Sequence, residues 1–181
     1  MKKYAILVFA FLFFICGCDS LMNTPTNKVE EFLGKYQRQD DQILTQLDSV
    51  INEGNYGFNE EQILSYKELM KRQYKDLKYT IKEEMIDGDN ATVTVEIEVY
   101  DYNAVLNEAE NYYLQNPDEF KNETGELDES KYIEYKLKQM KDTKDKIKYT
   151  LNLTLTKNDK KWILNDITET DRQKIHGIYN S

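Results

Sequence analysis

The sequence predicts an α+β fold: a curved antiparallel sheet of about four strands, made of two hairpins and packed against N-terminal and inserted helices. Three observations lead to this prediction. Apolar residues first recur at helical spacing, they alternate with polar residues in two later segments, and a helical pattern separates those two segments. Elements in this order fit helices packed on one face of an antiparallel sheet.

Three helices are predicted to open the domain. Thr24-Pro25 has the pattern of an N-cap followed by proline at the first helical position, and Asn59 with Gln62 forms a capping pair. Behind these starts, apolar residues recur three and four positions apart, as one buried helix face requires. They are Val29, Phe32, Leu33 and Tyr36, then Ile43, Leu44, Leu47, Val50 and Ile51, then Ile63, Tyr66, Leu69, Met70 and Tyr74.

Two β-hairpins are predicted, each with one apolar face. The first turns at Asp87-Gly88-Asp89-Asn90 and the second at residues 157–160, and residues of alternating polarity flank both turns. The alternating apolar positions are Leu77, Tyr79 and Ile81 with Val93, Val95, Ile97 and Val99 in the first hairpin, and Ile147, Tyr149, Leu151, Leu153 and Leu155 with Trp162 and Leu164 in the second.

The segment between the hairpins is predicted to hold two further helices. The first runs from about Ala104 to Asn116 and ends at Pro117, because proline cannot continue a helix. Residues 117–129 are acidic and turn-like. Ser130 is expected to open the second helix, and Thr170 to Tyr179 is expected to form a short terminal helix or turn.

The N-terminus has the features of a signal peptide. Lys2 and Lys3 precede an unbroken apolar run of 11 residues, Ala5 to Ile15. Such a run spans only about half of a bilayer core, which is too short for a stable transmembrane helix. A short apolar run behind a basic start and ahead of small residues is typical of a secretory signal.

Ile15-Cys16-Gly17-Cys18 follows the apolar run and resembles the lipobox of bacterial lipoproteins. The resemblance implies cleavage before Cys18 and attachment of diacylglycerol to its sulfur, with Cys16 in place of the commoner alanine or serine. Two or three acyl chains would anchor the protein firmly, at about 0.8 kcal/mol per buried methylene. The alternative is an ordinary signal peptide or membrane anchor in which this cysteine is incidental.

These features divide the chain into three parts: residues 1–17 as signal peptide, 18–23 as lipidated N-terminus and short tether, and 24–181 as a single α+β domain. Removing residues 1–17 leaves 22 basic and 33 acidic residues, a formal charge of −11. Such a domain is repelled by phosphate backbones, so we expect no nucleic acid partner. We expect an extracytoplasmic location, with membrane contact through the covalent lipid.

The sequence shows no catalytic or metal-binding motif. His176 is the only histidine, nothing places a serine near it, and we expect it to pack or hydrogen-bond at the end of the domain. One histidine and no free cysteine exclude the usual zinc sites. Asp87 to Glu98 superficially resembles a calcium loop, but Ala91 and Thr92 stand where a ligand and the glycine belong, which favours a hairpin turn. No cofactor is expected.

Clustered tyrosines are the candidate binding residues. Thirteen of the 14 tyrosines belong to the mature chain, and a tyrosine joins an apolar ring to a polar tip, which suits a pocket or contact surface. The alternative is that they border the core and direct their hydroxyls to water. The candidates are Tyr100, Tyr102, Tyr112, Tyr113, Tyr132 and Tyr135.

The opening helices and the closing segment from Ile147 to Ile167, with its Asn158-Asp159-Lys160-Lys161-Trp162 turn, are similar to the NTF2-like (cystatin-like) group of secreted bacterial lipoproteins. That resemblance implies a roll with a cone-shaped cavity between sheet and helices. The helical segment 104–146 departs from the simplest version of that fold. Members include enzymes, binding modules and scaffolds, so no activity follows from it.

The sequence is compatible with three kinds of function. The first is a non-enzymatic module of the cell envelope that binds a small ligand, a peptide or another protein. The second is a cavity-type enzyme that uses a carboxylate and a tyrosine as acid and base, which predicts a buried carboxyl group with a raised pKa. A purely structural role as a spacer is a third possibility.

Overall fold

The computed structural model describes residues 23–54 and 57–180, so the predicted signal peptide and Cys18 lie outside the described residues. The described chain contains six α-helices, one short 3₁₀ helix and four strands. In order, these are α1 (Pro25–Arg38), α2 (Asp41–Glu53), α3 (Glu60–Lys75), β1 (Lys78–Asp87), β2 (Asn90–Tyr100), α4 (Tyr102–Gln115), the 3₁₀ helix (Pro117–Phe120), α5 (Glu129–Asp142), β3 (Lys146–Asn158), β4 (Lys161–Leu164) and α6 (Glu169–His176).

Local capping residues set the starts of α1 and α3 as predicted. The Thr24 side chain accepts a hydrogen bond from the Asn27 backbone N–H, and Pro25 occupies the first turn of α1. Asn59 and Gln62 form a reciprocal capping box, in which each side chain bonds to the other's backbone N–H. These side chains satisfy backbone donors that a helix start otherwise leaves unpaired.

The strands form one antiparallel sheet in the order β1-β2-β3-β4. The long central pairing of β2 with β3 runs from Asn90 opposite Thr156 to Tyr100 opposite Lys146. Consecutive strands are therefore neighbours, and both hairpin turns lie at the same end of the sheet. The predicted α+β class, with a four-stranded antiparallel sheet and helices, is confirmed.

The hydrophobic core lies between one face of the sheet and the helices. Alternate residues of β2 and β3 are buried on that face, where α1 packs directly on the sheet and α3 packs on α1. The opposite face is polar, and there Glu96 lies 3.3 Å from Lys82 and 3.0 Å from Lys148. The sheet-derived part of the core comprises Ala91, Val93, Val95, Ile97, Val99, Leu151, Leu153, Leu155 and Trp162.

The edge strand β1 departs from simple alternation. Its register shifts between Ile81 and Glu83, which is a β-bulge. Beyond the bulge the strand has no covered apolar face, and Met85 and Ile86 are 57% and 55% exposed. Sequence alternation alone does not reveal a bulge, because one extra residue changes which side chains face the core.

The start of α5 corrects one prediction. Ser130 does not open this helix. Asp128 is the N-cap, and its carboxylate accepts a hydrogen bond from the Lys131 backbone N–H. The Ser130 hydroxyl instead accepts a hydrogen bond of 2.9 Å from the Gln62 side chain, which joins the starts of α3 and α5.

Residues 117–129 are more ordered than the predicted turn-like segment. They hold the 3₁₀ helix and a bridge between Lys121 and Leu127.

Among the helices of the described chain, none combines the length and apolar composition needed to cross a bilayer.

Candidate functional site

An open cavity of about 580 Å³ lies between α1, α2, the segment after β4 and α6. We call it the α1–α2–α6 cavity. Its apolar wall comes from α1 and α2, and its polar lining from α2, Asn165, Asp166 and α6. Tyr36, Ile43, Leu47 and Tyr74 of its lining also belong to the hydrophobic core. The cone-shaped cavity between sheet and helices that the resemblance implied stays a prediction. Its lining includes Phe32, Tyr36, Ile43, Thr45, Leu47, Tyr74, Arg172 and His176.

A buried tyrosine–histidine pair forms one end of the cavity. The Tyr74 hydroxyl lies 2.9 Å from His176 Nε2, and the two residues are 1% and 7% exposed. The Tyr36 ring meets the Tyr74 ring edge-on, with centroids 5.0 Å apart. Helices α1, α3 and α6 therefore each supply one aromatic ring to this wall. His176 hydrogen-bonds at the end of the domain, as the sequence predicts.

Burial keeps all three aromatic groups uncharged near neutral pH. Desolvation, together with a smaller contribution from the nearby Arg172 cation, lowers the pKa of His176 to about 4. Desolvation raises the pKa of Tyr36 to about 12 and raises that of Tyr74 still more. The Tyr74 phenol thus retains its proton and can donate a hydrogen bond to the neutral imidazole.

Arg172 is the cation of this wall. It lies close enough to Tyr36, Tyr74 and His176 to lower the pKa of each. Its guanidinium Nε is 3.8 Å from a carboxylate oxygen of Glu169, and its side chain is 38% exposed. A partly exposed guanidinium next to neutral aromatic groups can bind an anionic or hydrogen-bond-accepting group of a ligand.

The six candidate tyrosines lie in two separate places. Tyr100 and Tyr102 stack at 6.0 Å at the junction of β2 and α4. The Tyr100 hydroxyl donates to Asp76 at 2.7 Å, and the Arg72 guanidinium lies 4.0 Å from the centre of the Tyr100 ring. Tyr102 is fully buried, which raises its pKa to about 12. This pair joins α3 to the end of β2.

The other four tyrosines lie on α4 and α5 and surround Phe120 of the 3₁₀ helix. Phe120 is 4% exposed, and each of the four rings contacts it at 5.4 to 6.3 Å between centroids. The four are Tyr112, Tyr113, Tyr132 and Tyr135, and Tyr112 also donates a hydrogen bond to Glu119. Much of their ring surface is used within the domain, and Tyr112 remains 36% exposed. A contact surface formed by these tyrosines stays a prediction.

A second, more open groove of about 760 Å³ runs between α3 and α5. Leu64, Leu69 and Leu137 provide its apolar surface, and charges of both signs line its edges. At its end, Arg72 donates hydrogen bonds to the carbonyl groups of Lys141 and Thr143. The Arg72 contacts tie α3 to the C-terminus of α5.

The described residues offer no group of three or more histidine, cysteine or carboxylate side chains that could hold a metal ion. Asp87 to Asn90 forms a hairpin turn, and Glu98 lies in strand β2 opposite Lys78. The calcium-loop alternative is therefore wrong, because its twelve positions run along a hairpin and not around one ion.

No motif in the sequence marks the cavity wall. Tyr36 and Tyr74 are predicted as core positions and are buried, but they are separated by 38 residues, and His176 is 102 residues from Tyr74. Arg172 lies in a predicted terminal helix without any motif. The one signal in the sequence is that the only histidine belongs to that terminal helix.

No family model matches the chain, and no curated protein matches it. Among solved structures, the crystal structure of "a putative lipoprotein (ycdA)" from Bacillus subtilis is similar, with 14% sequence identity and a TM-score of 0.42. The alignment covers 91% of this chain and 51% of that one, so this chain spans about half the length of the other. A similarity at this level supports no argument about fold or function.

Proposed function

We propose that this protein is a lipid-anchored extracytoplasmic binding module and that the α1–α2–α6 cavity holds its ligand. The lipobox-like Ile15-Cys16-Gly17-Cys18 and the signal-like run before it support the lipid anchor. The single observation that supports binding is the cavity of about 580 Å³, with Arg172 and the Tyr74–His176 pair in its wall. Its volume is within the range of about 300–1,000 Å³ that is usual for small-molecule sites.

The chemistry of the lining indicates the class of ligand. Phe32, Ile43 and Leu47 offer apolar surface, and Arg172 offers a positive charge in the same cavity. A small molecule with an apolar body and a carboxylate or other acceptor group matches both surfaces. The apolar wall would contribute affinity, and the guanidinium would fix the orientation.

The protonation states of the wall favour binding over catalysis. An efficient general acid or base has a pKa near the working pH, whereas His176 has a pKa of about 4 and Tyr36 one of about 12. The enzyme alternative needs a buried carboxyl group with a raised pKa. Three exposed or partly exposed carboxyl groups, Glu31, Glu96 and Asp118, have shifted pKa values, each lowered by a hydrogen-bonded lysine.

A cavity-filling variant tests the proposal. Thr45 lies exposed on α2 in the cavity lining, so a Thr45→Trp variant would place a bulky ring in the cavity without disturbing the core. We expect benzoate, phenylacetate and benzyl alcohol, measured by NMR titration, to bind the unaltered protein and to lose affinity for this variant. Ser65→Trp, in the α3–α5 groove, is the matched control and should bind as the unaltered protein does.

Arg172→Gln separates the two surfaces of the cavity. We expect this variant to lose affinity for benzoate and phenylacetate severalfold and to retain its affinity for benzyl alcohol, because the two carboxylates are charged and the alcohol is not. Equal binding of all three probes to unaltered protein and to Thr45→Trp would contradict the proposed site. Turnover of a probe by the unaltered protein would favour the enzyme alternative.

A further inference from the structure

The N-terminal tether leaves the domain at the turn of the second hairpin. Asn23, the first described residue, donates a hydrogen bond of 2.7 Å from Nδ2 to the carbonyl of Lys160. Its Oδ1 accepts a hydrogen bond of 3.0 Å from the Trp162 backbone N–H. Both contacts are to the β3–β4 turn region, so the chain is attached at this place before α1 begins.

The tether is too short to let that place move far from the lipid. Five Cα-to-Cα steps separate Cys18 from Asn23. Fully extended, they span at most about 18 Å. If Cys18 is acylated, as proposed above, the end of the sheet that contacts Asn23 must lie close to the bilayer surface.

Both hairpin turns lie at this end of the sheet. The Lys157 backbone N–H donates a 2.7 Å hydrogen bond to the carbonyl of Asp89, which joins the second hairpin to the turn of the first. We call residues 85–90 and 157–163 together the hairpin-turn end. It carries three of the large exposed apolar side chains: Met85 at 57% exposure, Ile86 at 55% and Ile163 at 52%.

The charge of the hairpin-turn end differs from that of the domain. It contains three lysines and three aspartates, so its formal charge is zero, whereas the mature chain carries −11. Most of the acidic domain is repelled by an anionic leaflet, but this end is not. Exposed apolar residues next to lysines suit the boundary between headgroups and acyl chains. The residues are Lys157, Lys160, Lys161, Asp87, Asp89 and Asp159.

We infer that the hairpin-turn end rests on the bilayer to which Cys18 is attached, with Met85, Ile86 and Ile163 in the interfacial region. This inference depends on the proposed lipidation. The partner is the membrane surface itself. The short tether holds this end near the bilayer, and insertion of the apolar side chains then determines the orientation of the domain.

Environment-sensitive labels on the processed, full-length protein test the orientation. After removal of the signal peptide Cys18 is the only cysteine, and its sulfur carries the lipid, so one introduced cysteine can be labelled uniquely. Ile86→Cys would report on the hairpin-turn end. Lys144→Cys, in the exposed connection between α5 and β3, is the matched control. Eleven paired positions of β2 and β3 separate the two ends, about 34 Å.

The labelled proteins are reconstituted in vesicles of phosphatidylcholine and phosphatidylglycerol that contain a nitroxide-headgroup lipid. We expect the fluorophore at position 86 to be quenched severalfold more strongly than the one at position 144. Equal quenching, or stronger quenching at position 144, would overturn the orientation although the protein still floats with the vesicles. Failure to float would instead contradict the lipid anchor and this inference with it.

Substitution of an apolar residue supplies a second measurement. With the label at Asn158→Cys, Ile86→Asp should reduce quenching severalfold, because a carboxylate disfavours the interfacial region. Leu114→Asp is the control, since Leu114 is 65% exposed on α4, outside the hairpin-turn end. Equal quenching in the two variants would show that the apolar side chains do not set the orientation.

Discussion

The side-chain amide of Gln73 pairs with both backbone hydrogen-bonding groups of Tyr100. Gln73 Oε1 accepts from the Tyr100 N–H at 2.8 Å, and its Nε2 donates to the Tyr100 carbonyl at 3.1 Å. The β1–β2 pairing ends at Glu98, so the fully buried Gln73 takes the place of a strand residue beyond that end. Gly177 packs against the same pair. Since Gln73 precedes Tyr74 and Gly177 follows His176, this contact also positions the cavity wall.

Gln73→Leu should lower the free energy of unfolding by about 2–4 kcal/mol, because it leaves two backbone groups of Tyr100 without their partner. Gln37→Leu is the control, since the Gln37 side chain donates one hydrogen bond, to the Leu77 carbonyl, at a half-buried position. We expect it to cost about 1 kcal/mol. Urea unfolding measures both values, and equal losses would contradict the role of Gln73.

Gly177→Ala should destabilise the protein by about 2–4 kcal/mol. Gly177 has a φ of +72°, and a Cβ atom there would clash with the Tyr100 carbonyl oxygen. Gly125→Ala is the matched control, because its φ is +85° and nothing lies within 4 Å of the added atom. That control isolates the conformational cost, about 1–2 kcal/mol. Similar melting temperatures for the two variants would show that the close approach relaxes easily.

His176 should make stability fall as the pH is lowered. Its pKa is about 4 in the folded protein and 6.5 in its ordinary state, so the unfolded chain binds the extra proton first. The neutral imidazole contributes about 3 kcal/mol to the free energy of unfolding. This contribution is complete above pH 6.5 and is lost as the pH falls toward 4. His176→Gln keeps a hydrogen-bond acceptor for Tyr74 but does not titrate.

Urea unfolding at pH 7.5 and 4.5 measures this effect, with the difference between unaltered protein and His176→Gln as the readout. The difference removes the contribution of the carboxyl groups, which titrate in both proteins. We expect the unaltered protein to lose about 2–3 kcal/mol more than the variant. Parallel losses would contradict a buried, neutral imidazole.

Arg72→Met should lower the free energy of unfolding by about 1–3 kcal/mol. It removes two charge-assisted hydrogen bonds to the last turn of α5 and a cation stacked on Tyr100. The neighbouring Lys71→Met is the control, because Lys71 forms only a surface ion pair with Glu68. Hydrogen exchange should show that Arg72→Met lowers the protection of backbone amides in the C-terminal turn of α5. Unchanged protection of these amides would argue against this contact.

Local patterns were enough to predict most of the fold. Thr24, Asn59 and Gln62 act through neighbours within three residues, so their capping roles are visible in the sequence. The alternation in β2 and β3 is equally local. The bulge after Ile81 is not, since alternation fits either register until the packing partners are known.

The candidate site depended on distant contacts. Residues 100 and 102 flank the junction of β2 and α4, whereas the other four predicted tyrosines face one another across α4 and α5, so closeness in sequence did not make one site. The cavity wall instead joins Tyr36, Tyr74 and His176 from three helices. Each looks like an ordinary core position when its own helix is considered alone.

The mass of the mature N-terminal peptide shows whether Cys18 is lipidated. We expect the chain purified from membranes to begin at Cys18 and its N-terminal peptide to carry diacylglycerol on the sulfur. A Cys18→Ala variant should keep its signal peptide and lack the lipid. A mature chain with a free thiol at Cys18, recovered from the cytosol, would show that the protein is not lipid-anchored.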